Sequence, residues 1–221
     1  MALARFKDLC FDAENPRVLG EFYARALGLS YVAHDSNGHL EGQAPEQTIW
    51  INPVPELKTT KHRVHVDVRT PSVHELEKLG ATVLNHADGW TVMTDPEGGE
   101  FCAFERDRVD DYRLYAVIVD CAKPRSLATW WADVVGGEAR FDSAHGLWSI
   151  EPMPGAPFES FVFVPVPEPK STKNRIHWDV TTSDVDALLD RGATMLREKG
   201  GDIDWHVLAD PEGNEFCAFV T

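Results

Sequence analysis

The sequence predicts an α+β protein of four βαβββ units arranged as two tandem domains. Three observations predict it. Residues 53–68, PVPELKTTKHRVHVDV, recur at 165–180 as PVPEPKSTKNRIHWDV, identical at 11 of 16 positions without a gap. DPEGGEFCAF at 95–104 recurs at 210–219 as DPEGNEFCAF, identical at 9 of 10, so two matches follow in one order at offsets of 112 and 115. That is an internal duplication. Within each half, short strand patterns, turn residues and one short helical pattern alternate twice in the same order.

Residues 5–12 read as a strand. Asn15-Pro16 opens a helix in which Leu19, Phe22, Tyr23, Ala26 and Leu27 recur at helical spacing, and Gly28 ends it. Strands follow at about 29–35, 38–43 and 47–53, broken by Asn37-Gly38, a hairpin signal, and by Pro45. The strand at 62–69 leads to a short helix from Pro71 to Gly80, then strands at 81–87, 89–94 and 99–105. Asp88-Gly89 and Asp95-Pro96-Glu97-Gly98 are the turns between them. Residues 106–112, RDRVDDY, are a charged linker.

The second half runs the same course. A strand at 113–120 precedes a helix from Lys123-Pro124 to Gly136-Gly137, and strands follow at about 138–142, 146–151 and 159–166. Then come a strand at 174–181, a helix ending at Gly192, and strands at 193–198, 203–209 and 214–220. Residues 9–28 and 117–136 share 6 of 20 positions. The expected domains are 1–108, with units at about 1–56 and 57–108, and 109–221, with units at about 109–168 and 169–221. Each domain, at about 110 residues, is long enough for its own core.

A formal net charge of −15 and a pI near 4.9 disfavour nucleic acid and anionic membranes as partners. Cys10, Cys102, Cys121 and Cys217 form no CxxC pair and sit in apolar, strand-like contexts, so they are expected reduced in a cytoplasmic protein. MALARFKDLCFD has no apolar core of a signal peptide, and no apolar run approaches membrane-spanning length.

In Arg63-Val64-His65-Val66-Asp67-Val68 polar and apolar residues alternate strictly, the mark of a strand with one face on a core. The second copy keeps the row as Arg175, His177 and Asp179, opposite Ile176, Trp178 and Val180. Such a row is either the lining of a pocket or a solvated rim in which Arg63 and Asp67 pair with neighbours. Lys58, Lys61, Lys170 and Lys173 are read as solvated charges on the loops between units, and Asp95 and Asp210 as turn starters that need no ligand. Five of seven tryptophans lie in the second half. Trp178, and Trp130 or Trp131, are expected in the core. Trp148 and Trp205 are on short strands whose inner face could line a cavity or pack in the ordinary way.

The four βαβββ units, the HVDV and HWDV strands and the DPEG-x-EF ends together resemble the vicinal oxygen chelate superfamily. Its members include glyoxalase I, extradiol dioxygenases, fosfomycin-resistance thioltransferases and bleomycin-resistance proteins. The chain is most similar to the glyoxalase-like domain of bacterial proteins, present twice, over nearly its whole length. The resemblance implies that two units form a curved, partly closed mixed sheet of eight strands round a cavity. Metal enzymes of the family place ligands on the first and fourth strands of each unit, with two His and one or two Glu as a typical set for a domain. Here the first-strand His falls at Asp8 and Ala116, and the fourth-strand Glu near Trp50 and Phe163. The His of the next unit is present as His65 and His177, and the final Glu is replaced by Cys102 and Cys217.

The expectation is therefore no metal and no other cofactor. The alternative is one divalent metal such as zinc in domain 1, on Asp8, His65 and Cys102, because domain 2 offers only His177 and Cys217. Cys102 beside His65 could be a nucleophile with its base, though a packed thiol is the stronger reading. The leading functional expectation is a small-molecule binding protein, for drug sequestration or sensing. Its ligand, an aromatic one among the candidates, would meet His65, Cys102, Trp50, Arg63 and Asp67, with His177, Cys217, Trp148, Trp205, Arg175 and Asp179 as counterparts. The alternative is a lyase or dioxygenase with a divergent metal site in domain 1. The halves are expected to pair within one chain, or between two chains as a homodimer.

Overall fold

The computed structural model describes residues 2–221 and carries all four units. Unit 1 holds β1 (Ala4–Ala13), α1 (Pro16–Leu27), β2 (Ser30–Ala33), β3 (Gly38–Glu41) and β4 (Ile49–Pro53). Unit 2 holds β5 (Val64–Thr70), α2 (Val73–Lys78), β6 (Thr82–His86), β7 (Thr91–Thr94) and β8 (Glu100–Glu105). Unit 3 holds β9 (Leu114–Cys121), α3 (Pro124–Val135), β10 (Ala139–Asp142), β11 (Leu147–Ile150) and β12 (Ser160–Pro165). Unit 4 holds β13 (Ile176–Thr182), α4 (Val185–Asp190), β14 (Thr194–Arg197), β15 (His206–Ala209) and β16 (Glu215–Val220).

Local chemistry sets the helix ends. Asn15 is extended and its side chain accepts from the Val18 N–H at 3.2 Å, Pro16 supplies the first helical turn, and Gly28 ends α1 at φ 72°. A Cβ at Gly28 would run into the Asp111 carbonyl, so this position needs glycine both for its conformation and for the close approach of the linker.

The strands form two eight-stranded mixed sheets, neither closed on itself. Sheet I has the order β14-β15-β16-β13-β1-β4-β3-β2 and joins unit 4 to unit 1. Sheet II has the order β10-β11-β12-β9-β5-β8-β7-β6 and joins unit 3 to unit 2. Sheets therefore do not form within the halves 1–108 and 109–221, as the resemblance led us to expect, but across them. β1 runs antiparallel to β13 with Cys10 opposite His177 and Asp8 opposite Asp179. β5 runs antiparallel to β9 with His65 opposite Ile118 and Asp67 opposite Ala116.

The repeated stretch explains this crossing, because it carries the chain from one sheet to the other. Its residues meet their own copies: Thr60 Oγ1 lies 3.2 Å from Thr172 Oγ1. Arg63 donates to the Glu168 carbonyl at 2.6 Å and to the Asp120 carbonyl at 3.1 Å, while Arg175 donates to the Glu56 carbonyl at 2.8 Å. Lys61 reaches buried Asp120 at 2.7 Å and Lys173 reaches buried Asp12 at 2.5 Å. These reciprocal bonds make a local two-fold axis, and both copies need the same side chains to build it.

One continuous apolar core takes in both sheets and the helices. Trp131 of α3 lies edge-on to Trp178 of sheet I at 5.0 Å and to Phe161 of sheet II at 6.0 Å. Phe22 of α1 meets Phe101 of sheet II at 5.8 Å. The opposite face of each sheet carries the polar rows and is called the open face below. On sheet II it bears a second, separate apolar cluster of Ala116, Ile118 and Val162.

Candidate functional site

Strand alternation puts His65 and Asp67 on the open face of sheet II, and the β5–β8 register sets Cys102 beside Asp67. Cys102 Sγ lies 3.8 Å from His65 Nε2, which lies 3.8 Å from Asp67 Oδ1. Asp67 is 7% exposed, and its Oδ1 has no hydrogen-bond partner. Burial pushes Asp67 up to about 8 and His65 down to about 4, and also raises the Cys102 thiol. At neutral pH all three are uncharged, so Cys102 is not a ready nucleophile. Beside them lie Ala116, Ile118 and Val162, with Tyr115, Leu147 and Val164 half-buried around them. Arg69 covers the Tyr115 ring at 4.4 Å, Phe104 stands edge-on to Tyr115 at 5.5 Å, and Trp90 stacks on Phe104 at 6.1 Å.

Sheet I repeats the row as His177, Asp179 and Cys217 but surrounds it differently. Where sheet II has Ala116 and Ile118, sheet I has Asp8 and Cys10. Cys217 Sγ lies 3.6 Å from His177 Nε2, Cys10 Sγ 3.6 Å from Asp179 Oδ2, and His177 Nε2 3.8 Å from Asp179 Oδ1. Asp8 is held by Lys7 at 2.5 Å and by Trp50 Nε1–H at 3.3 Å. Asp8 Oδ1, Asp179 Oδ1 and His177 Nδ1 are buried without partners. Burial takes His177 down to about 4, and burial together with the Asp8 carboxylate raises Asp179. His39 packs on Trp50 at 5.0 Å, and Trp205 stacks on Phe219 at 5.3 Å.

The structure thus brings His65, Asp67 and Cys102 together on one face, and Trp50, His177, Asp179, Cys217 and Trp205 on the other. Trp50 does not share a face with His65, as the sequence reading had it. The set Asp8, His65 and Cys102 is not assembled, because Asp8 belongs to sheet I and the other two to sheet II. Trp148 faces the helices, with Arg125 of α3 at 5.6 Å from its ring, while Leu147 takes the open face. Phe163 is likewise in the core, and its neighbour Val162 is on the open face. The sequence reading of Trp148 is one residue out of register, which reverses the face of a strand, and the fourth-strand position expected near Phe163 is Val162. Arg63 and Arg175 bind backbone carbonyls at the crossing rather than lining either face. Sequence reasoning missed Cys10, Trp90 and His39. Cys10 was within reach, since it stands two residues from Asp8 and so shares its face.

A metal of the kind the fold family uses finds different support on the two faces. His65, Asp67 and Cys102 converge, and so do Cys10, His177 and Asp179. Sheet I adds Cys217 and orphaned carboxylate oxygens, and its sulfur and imidazole donors suit a soft or borderline cation. A cleft of about 260 Å³ at the crossing is no rival site, since its lysines Lys61 and Lys173 are held by Asp120 and Asp12.

Comparison with known proteins bears on this arrangement. A family model described as a glyoxalase-like domain matches twice, over residues 8–104 and 116–219. A comparison with the curated proteins finds no match. Among solved structures, glyoxalase I from Zea mays superimposes with a TM-score of 0.67 at 12% identity, covering 98% of this chain and 92% of that one. A protein of Bacillus subtilis subsp. subtilis str. 168 described as a dioxygenase gives 0.59 at 15% identity, covering 98% and 86%. The CppA protein of Streptococcus pneumoniae TIGR4 gives 0.53 at 12% identity, covering 100% of both chains. At these identities the likeness is one of fold.

Proposed function

The chain belongs to the glyoxalase-like domain family of the vicinal oxygen chelate superfamily, with the domain present twice, and from that premise we propose that it is a small-molecule binding protein. The organic ligand lies on the open face of sheet II. The observation that carries this reading is the second apolar cluster, Ala116, Ile118 and Val162, set apart from the core beside an unpartnered Asp67 oxygen. An apolar floor with a few convergent polar groups is the usual form of such sites. Protonated Asp67 donates a hydrogen bond to a carbonyl or ether oxygen, and Phe104, Tyr115 and Trp90 favour a flat aromatic body. Drug sequestration or sensing is the role this supports. The boundary between the domains is placed at 108/109, the halves pair within one chain, and unpaired cysteines support a cytoplasmic setting.

The test is a thermal-shift screen with flat aromatic compounds, antibiotics among them. Ligand at a hundredfold excess over Kd stabilises by about 2.7 kcal/mol, roughly 5–10 °C for a chain of this size. Ala116→Trp, at a position 1% exposed in the cluster set apart from the core, should abolish the shift, with circular dichroism verifying that the variant folds. A panel with no stabiliser, or a shift that survives Ala116→Trp, sinks the reading.

The convergence of His, Asp and Cys on each face favours a second reading, a metal-dependent lyase or dioxygenase. A divalent metal there would act as a Lewis acid on vicinal oxygens of a substrate. His65, Asp67 and Cys102 would hold it on sheet II, leaving a coordination position open toward the apolar cluster. Elemental analysis of the untagged protein, purified without chelator, separates the two readings.

A further inference from the structure

Both open faces keep one aromatic pair from the repeat. Trp90 stacks on Phe104 over sheet II at 6.1 Å, and the equivalent Trp205 stacks on Phe219 over sheet I at 5.3 Å. Near each pair a bulge turns one extra residue onto the same face. The strand pairing skips Tyr115 in β9 and the equivalent Lys7 in β1. What the bulge presents differs between the faces. Lys7 covers the Phe219 ring at 4.3 Å and pairs with Asp8, which is 4% exposed. That charge is spent, because drawing Lys7 away would leave a buried carboxylate unpaired. Tyr115 instead packs on the apolar cluster and carries Arg69 over its ring at 4.4 Å. Arg69 stands two residues beyond Asp67 on β5 and so shares its face. Its partner is Glu159 at 2.7 Å, just before β12, whose N–H donates to the Tyr115 carbonyl at 3.0 Å. The Glu159 side chain is 53% exposed and that of Arg69 28%. An ion pair so exposed contributes little and exchanges readily.

We propose that Arg69 is the specificity-determining residue of sheet II and that the ligand there is an aromatic acid, its carboxylate taking the place that Glu159 holds on the guanidinium. This rests on the reading of sheet II as the ligand's face and names the class of ligand. A planar guanidinium offers two parallel N–H groups to a carboxylate while its own face stays stacked on the tyrosine. Fixed on Tyr115, it needs little further ordering when the anion arrives. The ring of the acid then lies over Ala116, Ile118 and Val162. Sheet I has Thr181 where sheet II has Arg69, and Asp8 where it has Ala116, so it does not take the same acid.

Isothermal titration calorimetry of the full-length chain tests this. The probes are the carboxylates of benzene, naphthalene and anthracene, each matched by its neutral carboxamide. At least one carboxylate should bind about tenfold or more tighter than its carboxamide, as a hydrogen bond between charged groups provides. Arg69→Gln should bring that ratio to about one. Glu159→Gln removes the competing carboxylate and should raise the ratio above its wild-type value. Far-ultraviolet circular dichroism verifies the fold of each variant. Carboxamides that bind as tightly as the acids, an acid preference that survives Arg69→Gln, or one that Glu159→Gln lowers, each overturn the assignment of Arg69 and leave the binding reading in place. A panel in which neither form binds overturns both.

Discussion

His62 and Asn174 occupy equivalent places in the repeat, and the two copies solve the same corner in different ways. His62 is 9% exposed with neither ring nitrogen bonded, and it lies against Gly99, where a Cβ would come within 2.6 Å of its ring. In the other copy Asn174 donates to Asn214 at 3.1 Å, and Asn214 donates to Asp210 at 2.9 Å. The histidine and the Asp95 carboxylate, whose Oδ2 would lie closer still to that Cβ, together exclude a side chain at Gly99, and the asparagine permits its partner. Gly99→Asn alone should destabilise by about 2 kcal/mol through overpacking against His62 and Asp95, and His62→Asn added to it should recover part of that loss in a double-mutant cycle. Burial holds His62 at about 4, below its unfolded value near 6.5, so the folded state binds fewer protons. Stability is therefore full above pH 6.5 and falls as pH drops toward 4, by a few kcal/mol at most. Urea melts at pH 7 and pH 4.5 should show His62→Asn losing less on acidification than the wild type. Nothing in the sequence marks this pair, since the two differences sit 37 residues apart and only packing links them.

At the scale of elements, the DPEG turns have a task beyond turning. Asp95 accepts from the Glu97 and Gly99 N–H groups, which is the turn the sequence shows. Glu97 then reaches the start of α1 and accepts from the Glu14 and Asn15 N–H groups at 2.8 and 2.6 Å. Glu212 does the same for α3 through Ala122 and Lys123 at 2.6 and 2.7 Å. A carboxylate at a helix start satisfies free N–H groups and the helix dipole together. Glu97→Ala and Glu212→Ala should each cost about 1–2 kcal/mol in chemical denaturation, and Glu97→Gln less. All sixteen strands and four helices were legible in the sequence, because alternation, caps and turn residues are local signals. The reach of Glu97 to the start of α1 was not, because the two are about 80 residues apart and no local pattern records it. Placement was legible in the same measure: the alternating row put His65, Asp67, His177 and Asp179 on the open faces, whereas Trp148, on a strand without strict alternation, packs toward the helices.

At the scale of the molecule, neither half completes a sheet, since β1 needs β13 and β5 needs β9. Residues 1–108 made alone would expose both strand edges. They should pair with a second copy, β1 of one against β5 of the other, or aggregate. Light scattering after size exclusion checks this, and a stable folded monomer of the half would refute it. The sequence shows two similar halves, but repeats of equal quality allow pairing within or across them, and only the crossing settles which. The crossing has an evolutionary corollary. A half-length ancestor would have been a symmetric homodimer with two identical clefts, each built from both subunits, so that any mutation struck both at once. Joining two genes end to end releases that constraint: Cys10 can arise where its twin remains Ile118, and Asp8 where its twin remains Ala116, so the two faces can diverge residue by residue.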